Sequence, residues 1–121
     1  MGLKLLFIDD DEDSLEFSDK FFSKRNYQVL TANNGAEGIN IINEEEPDLV
    51  ILDLKMDDVD GINVLKKIRA SGNKTKVMVV SAMDDPQIIN DVKKLGVSGY
   101  ISKPTDLYKL EESISFIFKQ A

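Results

Sequence analysis

The sequence predicts an α/β fold, a three-layer doubly wound sandwich on a five-stranded parallel sheet, and three observations carry that prediction. Short β-rich runs alternate with helix-period segments along the chain. The runs "LVIL" and "VMVV" are apolar at every position. The residues between segments are of the kinds that start and stop helices. Uninterrupted apolar runs suit strands covered on both faces, as in a parallel sheet flanked by helices. With only five βα units, closure into a barrel is excluded.

The units follow in order. "KLLFI" precedes a helix over 13–25, "YQVLTA" one over 35–45, "DLVILD" one over 61–71, "KVMVVS" one over 86–95, and "GYIS" one over 105–119. Asn34 with Glu37 three residues later reads as a capping box, Asp85-Pro86 as a cap followed by a first-turn proline, and Gly72 and Gly96 as helix stops. On the first helix, Phe17 and Phe21 form one ridge and Leu15 and Phe22 another about a hundred degrees away, so one ridge belongs to the core. In the fifth, Leu107, Leu110, Ile114, Ile117 and Phe118 form the inward stripe and Phe116 lies opposite. No linker, repeat or low-complexity tract intervenes, and residues 1–121 are read as one domain. A chain of 121 residues buries roughly two thirds of the surface its unfolded form exposes.

Composition narrows the chemistry. Without cysteine or histidine there is no disulfide framework, thiolate zinc site, imidazole ligand or histidine-based triad, which leaves carboxylate, hydroxyl and lysine chemistry. A net charge of -7 repels phosphate backbones, so no direct nucleic-acid partner is expected. The apolar runs are strand-sized and "MGLKLL" carries no signal-peptide core, so no membrane partner and a cytoplasmic location are expected.

In open parallel sheets, ligands bind beyond the carboxyl ends of the strands, so the residues just after each run matter most. Asp9 and Asp10 follow the first strand, Asp53 the third, Ser81 the fourth and Lys103 the fifth. The stretch "LFIDDDEDSL" then divides. Asp11, Glu12 and Asp13 suit the positive end of the next helix, whereas Asp9 and Asp10 belong with Asp53 across the crevice. Converging carboxylates resist ionising together unless a cation joins them, and a few carboxylates with room for water favour Mg²⁺ over Ca²⁺. A lysine and a hydroxyl on neighbouring strands complete a set for binding phosphoryl oxygens, with one carboxylate left as nucleophile. The inferred reaction is phosphoryl transfer onto an aspartate.

Taken in order, "FIDDDE", "LVILDLKMDDVDG", "VMVVSA" and "GYISKP" resemble the receiver domain of two-component response regulators over essentially the whole chain. That resemblance implies the flavodoxin-like strand order 2-1-3-4-5 known from chemotaxis receivers. It also implies a phosphoacceptor switch and not a turnover enzyme, with Asp53 phosphorylated by a histidine kinase or histidine phosphotransfer protein. Mg²⁺ would be bound by Asp10 and Asp53, by Asp9 through water, and by the Lys55 backbone carbonyl. Lys103, the Ser81 hydroxyl and the Ala82 backbone N–H would hold phosphoryl oxygens, and Lys103-Pro104 would be a cis peptide. Ser81 and Tyr100 would pass the switch to a face made by the fourth helix, fifth strand and fifth helix, where a downstream output protein or domain docks.

Departures from the family pattern bear on rate and assembly. Asp57 stands where many receivers have proline, which makes that loop more acidic. Lys55 and Met83 occupy positions that modulate phosphoryl lifetime in the family, and Met83 offers no polar group to orient attacking water, so slow self-hydrolysis is expected. "VSGY" lacks the acid that precedes the aromatic in winged-helix regulators, which argues against that class's dimer. A haloacid-dehalogenase-type phosphohydrolase would want an acid at position 55, and a flavin-binding module would not place "DDDED" against a phosphate.

Overall fold

The computed structural model describes residues 2–54, 61–82 and 85–119. Five strands and five helices alternate among them: β1 (Lys4–Ile8), α1 (Glu12–Ser23), β2 (Gln28–Ala32), α2 (Gly35–Glu45), β3 (Leu49–Leu52), α3 (Gly61–Ala70), β4 (Val77–Ser81), α4 (Pro86–Lys94), β5 (Gly99–Ser102) and α5 (Leu107–Lys119). All strand pairs are parallel, in the order β2-β1-β3-β4-β5. The predicted flavodoxin-like (βα)5 sandwich is therefore the fold.

The caps explain the boundaries. Asp11 starts α1, its carboxylate accepting from the N–H groups of Asp13 at 3.0 Å and Ser14 at 3.3 Å, with Glu12 and Asp13 in the positive first turn. Asn34 accepts from the Glu37 N–H at 2.8 Å, and Asp85 caps α4 ahead of Pro86. Gly72 and Gly96 take the left-handed conformation, with φ of 83° and 77°, where α3 and α4 have ended. The sequence places the start of α5 at residue 105, but Asp106 accepts from the Lys109 N–H at 2.8 Å and the helix begins at Leu107.

Two hydrophobic layers sandwich the sheet. β1, β3 and β4 are buried along almost their whole length, as their continuous apolar runs require. One layer packs Leu15 and Phe22 of α1 and Leu110 and Ile114 of α5 against Leu5, Phe7, Ile51 and Met78. The other packs Ile42, Val64, Leu65, Ile68 and Val92 from α2, α3 and α4 against Leu6, Ile8, Val50 and Val79. The Leu15/Phe22 ridge is the core ridge of α1, whereas Phe17 is 67% exposed; Phe116 on α5 points outward as its wheel position indicates. No helix among the described residues is long and apolar enough to cross a membrane.

Candidate functional site

Ladder bonds that continue one residue past the strands set the site. The Asp9 N–H donates to the Ala32 carbonyl at 3.1 Å, the Asp53 N–H to the Ile8 carbonyl at 3.1 Å, and the Lys103 N–H to the Ser81 carbonyl at 2.9 Å. Parallel register thus carries Asp9, Asp53 and Lys103 to the same carboxyl edge, with Asp10 beside Asp9. Lys103-Pro104 is cis, as the family resemblance implies.

At that edge the Lys103 ammonium lies 3.0 Å from Asp53 Oδ2, with the carboxylate only 12% exposed and the lysine 37%. Burial pulls the Lys103 pKa down, but the hydrogen bond and charge of Asp53, with Asp9 and Asp11 adding to them, outweigh it and hold the ammonium above the usual lysine range. Asp9 is half-buried, and burial is the main reason its pKa is raised. The Asp11 N–H, 3.0 Å from Asp9 Oδ1, opposes that rise, the charge of Asp53 adds to it, and Lys103 counters in part.

A cleft of about 190 Å³ opens over these groups. Phe7, Ile51 and Val80 contribute its apolar floor, Asp9, Asp53 and Lys103 its charged end, and Phe17, Thr105 and Leu107 its walls. The sequence places Leu107 on the inward stripe of the fifth helix and Thr105 at its start but gives neither a place in the site; the signal was their position directly after the Lys-Pro pair that turns out of β5. Ser81 is fully buried and stands in register with Ser102, the neighbour of Lys103. Ala82 is exposed at the same edge. Tyr100 does not line this cleft. It is half-buried against the α2–α4 layer and borders a separate shallow groove with Gly99, Ile101, Phe116 and Ile117. Lys55, Asp57 and Met83 lie outside the described residues.

The donor set suits a hard cation. Asp9, Asp10 and Asp53 offer oxygen ligands only, and two of them share one cleft with an apolar floor. Among the described residues no three acidic side chains are gathered tightly enough to hold a metal by themselves. Mg²⁺ needs no such cage, because it keeps several waters and takes one or two carboxylates.

The family profile of the response regulator receiver domain matches residues 5–115. Sporulation initiation phosphotransferase F of Bacillus subtilis is 31% identical over 114 residues, covering 94% of this chain and 92% of that protein. The transcriptional regulatory protein GlrR of Escherichia coli is 32% identical over 117 residues, covering 97% of this chain but 26% of that protein. The receiver domain of Francisella response regulator 1452 superposes with a TM-score of 0.89 at 28% identity, covering 98% of each chain. The signal receiver domain of a LuxO repressor protein from Vibrio parahaemolyticus gives the same TM-score of 0.89 at 22% identity, over 99% of this chain and 92% of that one, which supports the fold alone. On the match of the profile across the sheet and its carboxyl edge, this chain belongs to the response regulator receiver domain family.

Proposed function

We propose that residues 1–121 form one receiver domain in which Asp53 accepts a phosphoryl group from a histidine kinase or histidine phosphotransfer protein, in a Mg²⁺-dependent reaction. The observation that carries this reading is the Lys103 ammonium 3.0 Å from a shielded Asp53 carboxylate, with Asp9 at the same cleft. In the transfer, an Asp53 oxygen forms the new P–O bond as the P–N bond of phosphohistidine, or the P–O bond of acetyl phosphate, breaks. The imidazole nitrogen or acetate leaves with that bond's electron pair. Lys103 then moves its ammonium from the carboxylate to a phosphoryl oxygen, and the Ser81 hydroxyl and Ala82 N–H donate to the others. Asp10 and Asp53 directly, Asp9 through water, and the Lys55 carbonyl by its sequence position would hold Mg²⁺. The ion supplies neutralisation of the clustered carboxylates and a ligand position for a phosphoryl oxygen.

The output step rests on the fully buried Ser81 and the half-buried Tyr100. A hydroxyl drawn out toward the phosphoryl group leaves room into which the Tyr100 ring turns, which alters the face of α4, β5 and α5 for a downstream partner. This is a switch set by one phosphoryl group and not a metabolic turnover.

Mass spectrometry after incubation with Mg²⁺ and acetyl phosphate tests the reading. One phosphoryl adduct is expected on the wild type and none on Asp53→Asn. An adduct that persists in Asp53→Asn, or none on either protein, overturns it. Sustained release of phosphate from unrelated monoesters would favour a hydrolase instead.

A further inference from the structure

The segment "DVDG" ends in a glycine to which the proposed chemistry assigns no part. Gly61 is buried, and its N–H donates to the Leu54 carbonyl at 2.8 Å, so the first turn of α3 is bonded to the residue after Asp53. Gly61 opens the right-handed helix α3, so a left-handed backbone is not why glycine stands there. Space is. A Cβ on residue 61 would come within 2.5 Å of the Asp53 carbonyl oxygen and 2.8 Å of the Leu54 carbonyl carbon. Real Cβ atoms essentially never sit that close, and the obstructing atoms are backbone, which cannot turn aside as a side-chain end can.

Asp53 is therefore held on both sides: its own N–H, in the 52–53 peptide, donates to the Ile8 carbonyl of β1 at 3.1 Å, and its carbonyl, in the 53–54 peptide, lies against the bare Cα of Gly61. We infer that Gly61 is a positioning residue for the phosphoacceptor: the contact between α3 and the Asp53–Leu54 backbone, which only a residue without a side chain permits, fixes the reach of the Asp53 carboxylate toward Lys103. A methyl at position 61 pushes the planar 53–54 unit away from α3, and Asp53 Cα, which is part of that unit and carries the carboxylate, shifts with it. Misplacement of a nucleophile by about an ångström lowers a reaction by roughly a hundredfold where orientation supplies much of the rate.

The inference rests on the phosphoacceptor reading for its kinetic consequence but not for its geometric one, and the experiment separates the two. In Gly61→Ala without added metal, the through-space NMR contact between the Lys103 and Asp53 side chains is expected to weaken or vanish as the carboxylate withdraws. Phosphorylation by acetyl phosphate with Mg²⁺, corrected for the folded fraction, is expected to slow at least tenfold. Gly38→Ala is the control, since its Cβ would meet side-chain atoms of Ile8, Cδ1 at 2.5 Å and Cγ1 at 2.9 Å, and no backbone; it should lose stability and leave both readouts unchanged. If little Gly61→Ala folds, the contact is measured in trimethylamine N-oxide, which favours the compact state. A less stable Gly61→Ala that keeps the wild-type contact overturns the inference, and so does a chain that stays unfolded in the osmolyte. Failure of wild-type phosphorylation sinks the phosphoacceptor reading and leaves the Lys103–Asp53 contact to judge Gly61.

Discussion

The two helical layers are fastened to one sheet by different means. On the α1/α5 side, Phe22 is fully buried and its ring meets Phe7 at 5.4 Å, Phe21 at 4.9 Å and Tyr27 at 5.3 Å. Arg25 closes that side, its guanidinium 4.3 Å over Phe21, 5.1 Å from the Tyr108 ring and 3.4 Å from a Glu111 carboxylate oxygen. On the other side, α4 fully buries Val92 alone, with Ile88 and Leu95 partly covered. Its far end is held by one side chain from α3. The Arg69 guanidinium donates to the carbonyls of Leu95 at 2.8 Å, Gly96 at 3.2 Å and Asn73 at 3.0 Å.

The difference matters because both layers border the candidate site. The cleft wall that includes Phe17 lies on α1, whose opposite face is locked by interdigitated rings. The chain leaving Ser81 enters α4, whose one fully buried side chain, Val92, lies in its C-terminal half and whose Arg69 anchor lies just past its C-terminal end. An element with little buried apolar surface opens locally at a lower free energy than the core around it. Under the proposed function, a cleft wall on the firmly packed side and a helix more loosely held at its Ser81 end would suit a group accepted in the cleft and reported through α4.

Removing the aromatic anchor gives the largest expected effect. Phe22→Ala should lower unfolding free energy by about 3–5 kcal/mol, read from urea denaturation, because three ring contacts go and a cavity remains. A loss near 1 kcal/mol would mean that the layer relaxes around the gap and is not the rigid side.

Most of this architecture is legible in the sequence, for identifiable reasons. The runs of β3 and β4 are apolar throughout because both faces are covered, and Asp85-Pro86, Gly72 and Gly96 mark helix ends through backbone chemistry that needs no tertiary context. The site is legible in part, since parallel strands must deliver whatever follows them to one edge. Hidden from the sequence were contacts between distant segments. Nothing near Gly61 signals a backbone approach of a few ångströms to Asp53, and Arg69 reads as an ordinary last-turn cation until Leu95 and Gly96 are folded against it. The ridge choice on α1 was likewise open, because Phe17/Phe21 and Leu15/Phe22 are equally apolar and only packing onto the sheet, where Phe22 meets Phe7 of β1, decides between them.

The polar anchor of α4 gives the next effect in size. Arg69→Ala should cost about 1–3 kcal/mol, since it leaves carbonyls in a partly shielded place without their donor. Amide exchange sharpens the test: protection should fall through α4 and the turn to β5 while α1 keeps its wild-type rates. An equal loss in both helices would show that the two layers are not independently fastened.

The smallest expected change lies between the layers, at Asp9, and its sign is the informative part. Burial, with the Asp53 charge adding to it, raises the Asp9 pKa above its ordinary 3.8, so the folded chain holds a proton there more readily than the unfolded one. An ionised Asp9 therefore opposes folding at neutral pH. That opposition is constant above the raised pKa, fades as pH falls through it, and is gone below about 3.8. Asp9→Asn keeps an oxygen to accept the Asp11 N–H and removes the charge. Without metal it should melt above the wild type at pH 7, and the advantage should vanish in acid. Added Mg²⁺ should narrow the gap from the wild-type side, because binding to the folded state alone stabilises it by mass action. A variant less stable than wild type at pH 7 would mean that the charged bond from the Asp11 N–H outweighs burial and repulsion, and that the carboxyl edge is not the strained seam between two differently anchored layers.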